Sequence, residues 1–211
     1  MKSIFVGGSR NISRLNKEIK QRLDNIIDQN FIFIVGDANG ADKAVQKYCV
    51  DKQYANVTIF CAGGHCRNNL GKWNVRNVAV ASNKKGFDFF VAKDIEMAKA
   101  ADYGFMLWDS KSNGTLRNIL ELLQLKKWVL VYYSPENSFI KIKNVDDLEN
   151  LLSKCDKSKI NQFETKLGLR SKLKSLSAAT QLSLLPSCRP TTTVSFPKKR
   201  LTSNRDLFVA L

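Results

Sequence analysis

The chain has 211 residues, which is enough for one domain of ordinary size and an extension. Its hydrophobic fraction of 44% is typical of a globular protein, and no apolar run reaches the roughly 20 residues that a membrane-spanning helix needs. The net charge of +15 favours partners that carry phosphate, and the short N-terminal apolar run does not fit a signal peptide. We therefore expect a cytoplasmic protein with no membrane partner.

Short apolar runs alternate with segments of helical spacing along the first 152 residues. Buried strands are predicted at residues 3–6, 31–35, 57–60, 105–108 and 128–133, with a weaker one at 89–91. Helices are predicted between them, at residues 15–27, 41–50, 94–101, 115–125 and 145–152. This alternation predicts an α/β fold, a Rossmann-like three-layer sandwich with a mostly parallel sheet.

The composition changes near residue 154, so we predict a domain at 1–153 and a basic C-terminal extension at 154–211. Residues 153–211 hold twelve Lys and Arg against three acids, a net charge of +9. Helical spacing continues to about residue 173, and a Ser-, Thr- and Pro-containing low-order tail is predicted after it. The basic run at 197–200 is a candidate nucleic-acid contact, although a solvated tail explains it more simply.

Five cysteines are scattered along the chain, an odd number that favours free thiols in a reducing compartment over a disulfide framework. Cys61, His65 and Cys66 form the one cluster, but no second pair completes a tetrahedral zinc site. No metal and no cofactor is predicted.

Three polar, glycine-containing loops each follow a predicted strand. The first contains Gly7, Gly8, Ser9, Arg10 and Asn11; the second contains Gly36, Asp37, Ala38, Asn39, Gly40, Ala41 and Asp42; the third runs from Trp108 through Asp109, Lys111, Ser112 and Gly114 to Thr115. The second and third loops lead into helices, whose first backbone N–H groups bind anions. Because ligands of open α/β sheets bind beyond the carboxyl ends of the strands, we expect these loops to form one phosphate-binding site.

None of the loops matches the dinucleotide fingerprint or the P-loop, since Lys111 precedes Gly114 instead of following it. A standard NAD enzyme and a P-loop nucleotidase are therefore excluded. Trp108 is the aromatic residue best placed to stack on a base. Residues 66–83 mix basic, amide and aromatic groups, and they predict a segment that closes over the ligand or contacts nucleic acid, or else an exposed polar helix.

The segments GGSR at 7–10, VGDANGADKAV at 35–45 and AKDIEMAKAADYGFMLWDSKSNGTLRNI at 92–119 resemble the YspA-like branch of the SLOG superfamily over roughly residues 1–135. That superfamily also contains the lonely guy phosphoribohydrolases and DNA-processing protein A. The resemblance implies a Rossmann-like sheet, a nucleotide or nucleic-acid ligand and a dimer or larger homo-oligomer. It also implies that Gly8, Ser9 and Arg10 line the pocket, that Gly40, Ala41 and Asp42 form a second wall, and that Ser112, Gly114 and Thr115 hold phosphate.

The chain departs from the phosphoribohydrolase pattern at one position. Asn118 stands where those enzymes place a glutamate, and an amide cannot act as a carboxylate base. Asp109 and then Asp37 are the candidate catalytic carboxylates for cleavage of an N-glycosidic bond. The alternative is that Asp109 and Asp42 orient loop backbone, as aspartates in turns commonly do.

The sequence thus predicts a sensor or effector that binds a nucleotide-derived small molecule. A hydrolase that cleaves the N-glycosidic bond of a nucleoside phosphate is one alternative. A DNA- or RNA-binding protein, using the basic surface and tail, is the other.

Overall fold

The computed structural model describes residues 1–79 and 87–184. Its strands are β1 (Ser3–Gly8), β2 (Ile32–Gly36), β3 (Val57–Ala62), β4 (Asn74–Val78), β5 (Tyr103–Trp108), β6 (Val129–Tyr133) and β7 (Ser138–Ile142). Its helices are α1 (Lys17–Asp28), α2 (Ala41–Asp51), α3 (Phe87–Ala100), α4 (Asn113–Gln124), α5 (Val145–Leu152), α6 (Lys157–Leu167) and α7 (Leu169–Leu184).

The seven strands form one sheet in the order β4-β3-β2-β1-β5-β6-β7. All neighbouring pairs are parallel except β6 and β7, which are antiparallel. The central strands are buried on both faces, as expected of a parallel sheet covered by helices. The chain reverses its direction of travel across the sheet between β1 and β5, and this switch point is where open α/β sheets bind ligands.

Helices cover both faces of the sheet and give the predicted three-layer sandwich. Alternate side chains of β1 point to opposite faces, so Phe5 joins one core and Ile4 and Val6 join the other. The core around Ile4 is completed by α1 and α2, whereas the core around Phe5 is completed by α3, α4, α5 and α6. The predicted fold class is confirmed.

Two strands and one helix differ from the sequence prediction. Residues 89–91, predicted as a strand, belong to α3. β4 lies inside the segment for which a lid or a polar helix was expected, and β7 was not predicted.

The beginning of the basic extension is helical and packs on the domain. Phe163 of α6 is fully buried, and Leu167 and Leu169 are nearly so, in the same core as α4. Residues 185–211, which include most of the predicted low-order tail, lie outside the described residues. Within the described residues no helix is long and apolar enough to cross a membrane.

Candidate ligand site at the strand switch point

The first loop follows β1 and is fixed against β5. The backbone N–H of Ser9 donates to the carbonyl of Leu107 at 2.9 Å, and a Cβ atom at Gly8 would collide with that carbonyl. The Ser9 hydroxyl donates to a carboxylate oxygen of Asp109 at 2.8 Å. The loops after β1 and β5 are therefore joined directly across the switch point.

The second loop packs against the backbone of the first loop. The backbone N–H of Ala41 donates to the carbonyl of Ser9 at 3.1 Å, and Gly40, at φ +82°, packs against the backbone of Arg10. Any Cβ at Gly40 would both collide with that backbone and strain its own conformation. Asn39 is exposed and accepts a hydrogen bond from the side chain of Asn68 at 3.1 Å.

The third loop is organised by Asp109. Its carboxylate accepts from the backbone N–H groups of Lys111 and Ser112 at 3.1 and 2.9 Å, and from the side chains of Ser9 and Asn11, both at 2.8 Å. Burial opposes ionisation, but these hydrogen bonds prevail and hold the pKa of Asp109 below its ordinary value. The carboxylate is thus ionised and fully engaged in holding two loops together.

Helix α4 begins immediately after this loop, with its first turn open to the site. Ser112 is the N-cap residue and accepts from the backbone N–H of Thr115 at 3.2 Å, while the Thr115 hydroxyl donates to the Ser112 hydroxyl at 2.9 Å. The side-chain oxygen of Asn113 is buried and, within residues 1–79 and 87–184, has no hydrogen-bond partner. The positive end of α4 therefore carries an unsatisfied polar atom at the same place.

Five charged side chains are packed beneath the loops. Lys93 of α3 is 3% exposed; its ammonium donates to Asp37 at 3.2 Å and lies 3.6 Å from a carboxylate oxygen of Asp94. The guanidinium of Arg67 donates two hydrogen bonds to the carboxylate of Asp37, in a bidentate pair at 3.0 and 2.7 Å. A Cβ atom at Gly36 would collide with the Asp42 carboxylate and lie 2.7 Å from the Lys93 ammonium, so a larger residue here would force these two buried side chains to move.

The pKa values of the carboxylates in this cluster are shifted in opposite directions. Burial raises the pKa of Asp37, but the hydrogen bonds of Arg67 and the charge of Lys93 outweigh it and lower that pKa to about 2. For Asp42, burial prevails over the attraction of Lys93 and raises the pKa to about 6. Burial also raises the pKa of Asp94, which hydrogen-bonds to the side chain of Asn118.

A cavity of about 540 Å³ opens between these elements. Cationic side chains, backbone and polar groups of the first and third loops, buried acids and a few apolar side chains line it: Phe5, Gly8, Ser9, Arg10, Asn11, Ala38, Asp42, Arg67, Phe90, Lys93, Asp94, Met97, Lys111, Ser112, Asn113, Gly114, Thr115 and Asn118. The guanidinium of Arg67 lies 4.3 Å from the ring centroid of Phe90, and that of Arg10 lies 5.9 Å from it.

The structure brings the three predicted loops together but divides their residues into two groups. Eight of the residues predicted to bind the ligand line the cavity: Gly8, Ser9, Arg10, Asp42, Lys111, Ser112, Gly114 and Thr115. The others support the loops without lining it: Gly7, Gly36, Asn39, Gly40 and Ala41. The candidate catalytic residues Asp37 and Asp109 also lie just behind the lining.

Trp108 is a correction to the predicted site. Its indole is fully buried, with ring centroids 6.0 Å from Tyr133 and 5.9 Å from Phe163, so it does not face the cavity. Its N–H donates to the carbonyl of Ser112 at 3.1 Å. Trp108 therefore supports the third loop from the core, and no base can stack on it here.

Several lining residues were missed by the sequence reasoning, above all Lys93, Asp94 and Phe90. These three lie on α3, whose start was predicted as a strand because its residues are apolar and aromatic. Arg67, in contrast, belongs to the segment 66–83, for which closing over the ligand was one of the predicted alternatives. The signal that was present is the pair Lys93-Asp94 at the head of the segment 92–119, where charged neighbours stand among apolar residues.

The cysteine prediction also needs a correction. The sulfur atoms of Cys61 and Cys66 are bonded to each other, whereas Cys49 and Cys155 are free. Cys188 lies outside the described residues. Within residues 1–79 and 87–184 no group of three or more His, Cys, Asp and Glu side chains is placed to hold a metal ion.

No protein-family model matches this chain, and no curated protein matches it with significant similarity.

Proposed function

We propose that the cavity binds a nucleotide or a nucleotide-derived small molecule, and that the protein acts as a sensor or effector of that ligand. The observation that carries this proposal is the convergence of two strand-end loops and the first turn of α4 on one cavity at the switch point of the sheet. The volume of about 540 Å³ is within the range of small-molecule sites, roughly 300–1,000 Å³.

The cationic and backbone N–H groups of the lining fit a phosphate group. Lys111 and Arg10 are exposed cations at its rim, and the first turn of α4 supplies backbone N–H groups and the positive end of the helix dipole. The unpartnered oxygen of Asn113 at that turn supports a polar ligand, because a buried unsatisfied atom costs about 1–3 kcal/mol. A hydroxyl of the ligand's sugar would satisfy it.

The same lining also fits a planar ring. Phe5, Phe90 and Met97 give the cavity apolar walls, and Asp42, Asp94 and Asn118 add side-chain oxygens, of which those of Asp42 and Asn118 belong to buried residues. An aromatic base packs favourably against such side chains, and its N–H groups would donate to carboxylate and amide oxygens. A ring with a phosphate tail would use both the apolar and the cationic parts of this lining.

The test is a thermal-shift screen against nucleoside mono-, di- and triphosphates, cyclic nucleotides and nicotinamide-containing dinucleotides, followed by chromatography of each mixture. A ligand at 100 times its dissociation constant stabilises the protein by about 2.7 kcal/mol, which moves the melting temperature by several degrees. A shift with intact ligand supports a sensor. No shift with any member of the screen contradicts the proposal.

Site variants locate the binding. Arg10→Ala and Lys111→Gln should each weaken binding at least tenfold, since each removes a cation from the rim. Arg14→Ala and Lys17→Gln remove exposed cations of the same type that do not line the cavity, and they should bind normally. Equal losses in both sets would mean that only the net charge matters.

A hydrolase is the second candidate, and the raised pKa values of Asp42 and Asp94 favour it. A carboxyl group with a pKa near 6 is suited to donate a proton to a departing base. Asp37 and Asp109 would have to act as ionised groups, through the hydrogen bonds described above. Released base in the chromatograms, lost in Asp42→Asn, would establish this activity.

A further inference from the structure

A second cavity, of about 490 Å³, lies between α4, α5 and α7, and shares no lining residue with the first. Its apolar lining consists of Leu120, Leu123, Trp128, Val145 and Leu176. Leu120, Leu123 and Val145 are otherwise buried in the fold, so the cavity reaches their edges from outside. A concave site of this size that combines apolar walls with polar groups is typical of small-molecule binding.

Most of the charged groups that line this cavity, among the residues that the structure describes, are cationic. Lys126, Lys143 and Lys172 line it, against the one acid Glu121. Lysine stems can lie along apolar walls while their ammonium groups meet a charged head at the rim. The ammonium of Lys143 lies 5.0 Å from the ring centroid of Trp128, which holds one of the three charges beside the apolar wall.

The surroundings of Lys172 disfavour its charged form. Burial lowers its pKa, and the nearby guanidinium of Arg117 lowers it further, while Glu121 only partly compensates. The charge of a bound anion would favour the ammonium form and offset both effects on this pKa, whereas a neutral apolar ligand would only add to the desolvation. The lysines therefore fit an anionic head group, and the apolar walls fit a hydrocarbon part of the same ligand.

We propose that this second cavity binds a small amphipathic carboxylate, with its hydrocarbon part against Leu120, Leu123, Trp128, Val145 and Leu176 and its carboxylate on the lysines. The occupant is a small molecule with one anionic head, such as a medium-chain fatty acid. Helix α4 contributes its first turn to the first cavity and its last turns to the second, so the two sites share one rigid element.

The experiment uses the full chain and two probes that differ in the head group alone, octanoate and 1-octanol. Isothermal titration calorimetry should give octanoate a dissociation constant of about 1 mM or lower, and octanol one at least ten times weaker. Octanoate should also change the tryptophan fluorescence, and Trp128→Phe should remove that change. Equal binding of the two probes overturns the proposal, because the lysines would then not contribute.

Two variants and a matched control place the site. Lys172→Gln should weaken octanoate about tenfold and leave octanol unchanged, whereas Lys174→Gln, an exposed lysine of α7 outside the lining, should change neither. Ser175→Phe adds a ring to an exposed lining position of α7 and should block both probes. Octanoate binding that survives Ser175→Phe, or none in the unmodified chain, overturns the proposal.

The result is separable from that of the first cavity. Arg10→Ala should leave octanoate affinity unchanged, because Arg10 lines only the first cavity. A failed nucleotide screen together with a successful octanoate titration would remove the proposed function and leave this proposal standing.

Discussion

Lys93 is almost completely buried, yet it compensates three carboxylates: those of Asp37, Asp42 and Asp94. Buried charges are tolerated when they are paired, and removing one partner is far more costly than the pair is favourable. The position of this lysine on α3 therefore connects that helix to both the second loop and the cavity. Its role is visible only in three dimensions, because its partners are up to 56 residues away in the chain.

Lys93→Met tests this role. We expect the variant to lose about 3 kcal/mol of the free energy of unfolding at pH 7, because Asp42 and Asp94 lose their main counter-charge and Asp37 is left with Arg67 alone. Lys99→Met, on the exposed side of the same helix, should change it by less than about 0.5 kcal/mol. Urea denaturation measures both, and equal effects would show that the buried charge has no special importance.

Asp37 should make the free energy of unfolding fall at acid pH. Its folded pKa of about 2 lies below the ordinary value of 3.8, so its stabilisation is complete above pH 4 and is lost as the pH falls from about 4 to 2. Asp37→Asn should cost about 2 kcal/mol at pH 7 and much less at pH 2.5, as shown by urea midpoints at both values. An unchanged difference at pH 2.5 would contradict the pKa assignment.

Asp42 acts with the opposite sign. Its folded pKa of about 6 is raised, so the folded state holds its proton more tightly than the unfolded state does. Its contribution is fully present below about pH 4 and is lost as the pH rises from 4 to 6. As the pH rises, Asp37 increases the free energy of unfolding and Asp42 decreases it. The two effects overlap only slightly, because most of the Asp37 change lies below pH 4 and the Asp42 change lies between pH 4 and pH 6.

At the scale of elements, the predicted helices and central strands match the structure because hydrophobic periodicity determines them. β1, β2, β5 and β6 are continuous apolar runs, and α4 and α5 have clear helical spacing. The three loops could be placed at one edge because every strand before them is parallel. The switch-point site followed from this topology and from the glycines.

The elements that were missed lack such a pattern. β4, with the sequence NVRNV, is an exposed edge strand with few apolar residues, so only its pairing with β3 makes it a strand. The start of α3, FDFFV, is aromatic and apolar, and local propensity favours a strand there. Tertiary packing on the sheet decides otherwise, and it moves Phe90 and Lys93 into the site.

The packing of α6 gives a prediction about the extension. Phe163→Ala should cost about 3–4 kcal/mol, because the ring is fully buried against Trp108 in the same core as α4. Lys166→Ala, exposed on the same helix, is the control. A negligible loss for Phe163→Ala in thermal or urea unfolding would mean that the extension is independent of the domain.

For the whole molecule, most of the net positive charge and the residues of the candidate site lie in different parts of the sequence. Every residue that lines the first cavity lies between Phe5 and Asn118, whereas residues 153–211 carry a net charge of +9. This separation allows the nucleic-acid alternative to be tested apart from the small-molecule site. Cytoplasmic location and homo-oligomerisation stay predictions.

Truncation after Leu184 is the test at this scale. The shortened chain should bind a small-molecule ligand with unchanged affinity, because no lining residue is removed. Binding to single- or double-stranded DNA, measured against salt, should weaken and show a shallower salt slope if the removed lysines and arginines contact phosphates. DNA affinity that is unchanged in strength and slope would exclude the tail as a nucleic-acid contact.

The hydrogen bond between Ser9 and Asp109 has a kinetic consequence. It joins the loops after β1 and β5 without a ligand, and the backbone of Ser9 in turn holds the second loop. A site that is already assembled loses little conformational entropy on binding, so association should be a single step whose observed rate rises linearly with ligand concentration. Ser9→Ala should slow association and make the rate level off at high concentration, because the loops would then have to come together first.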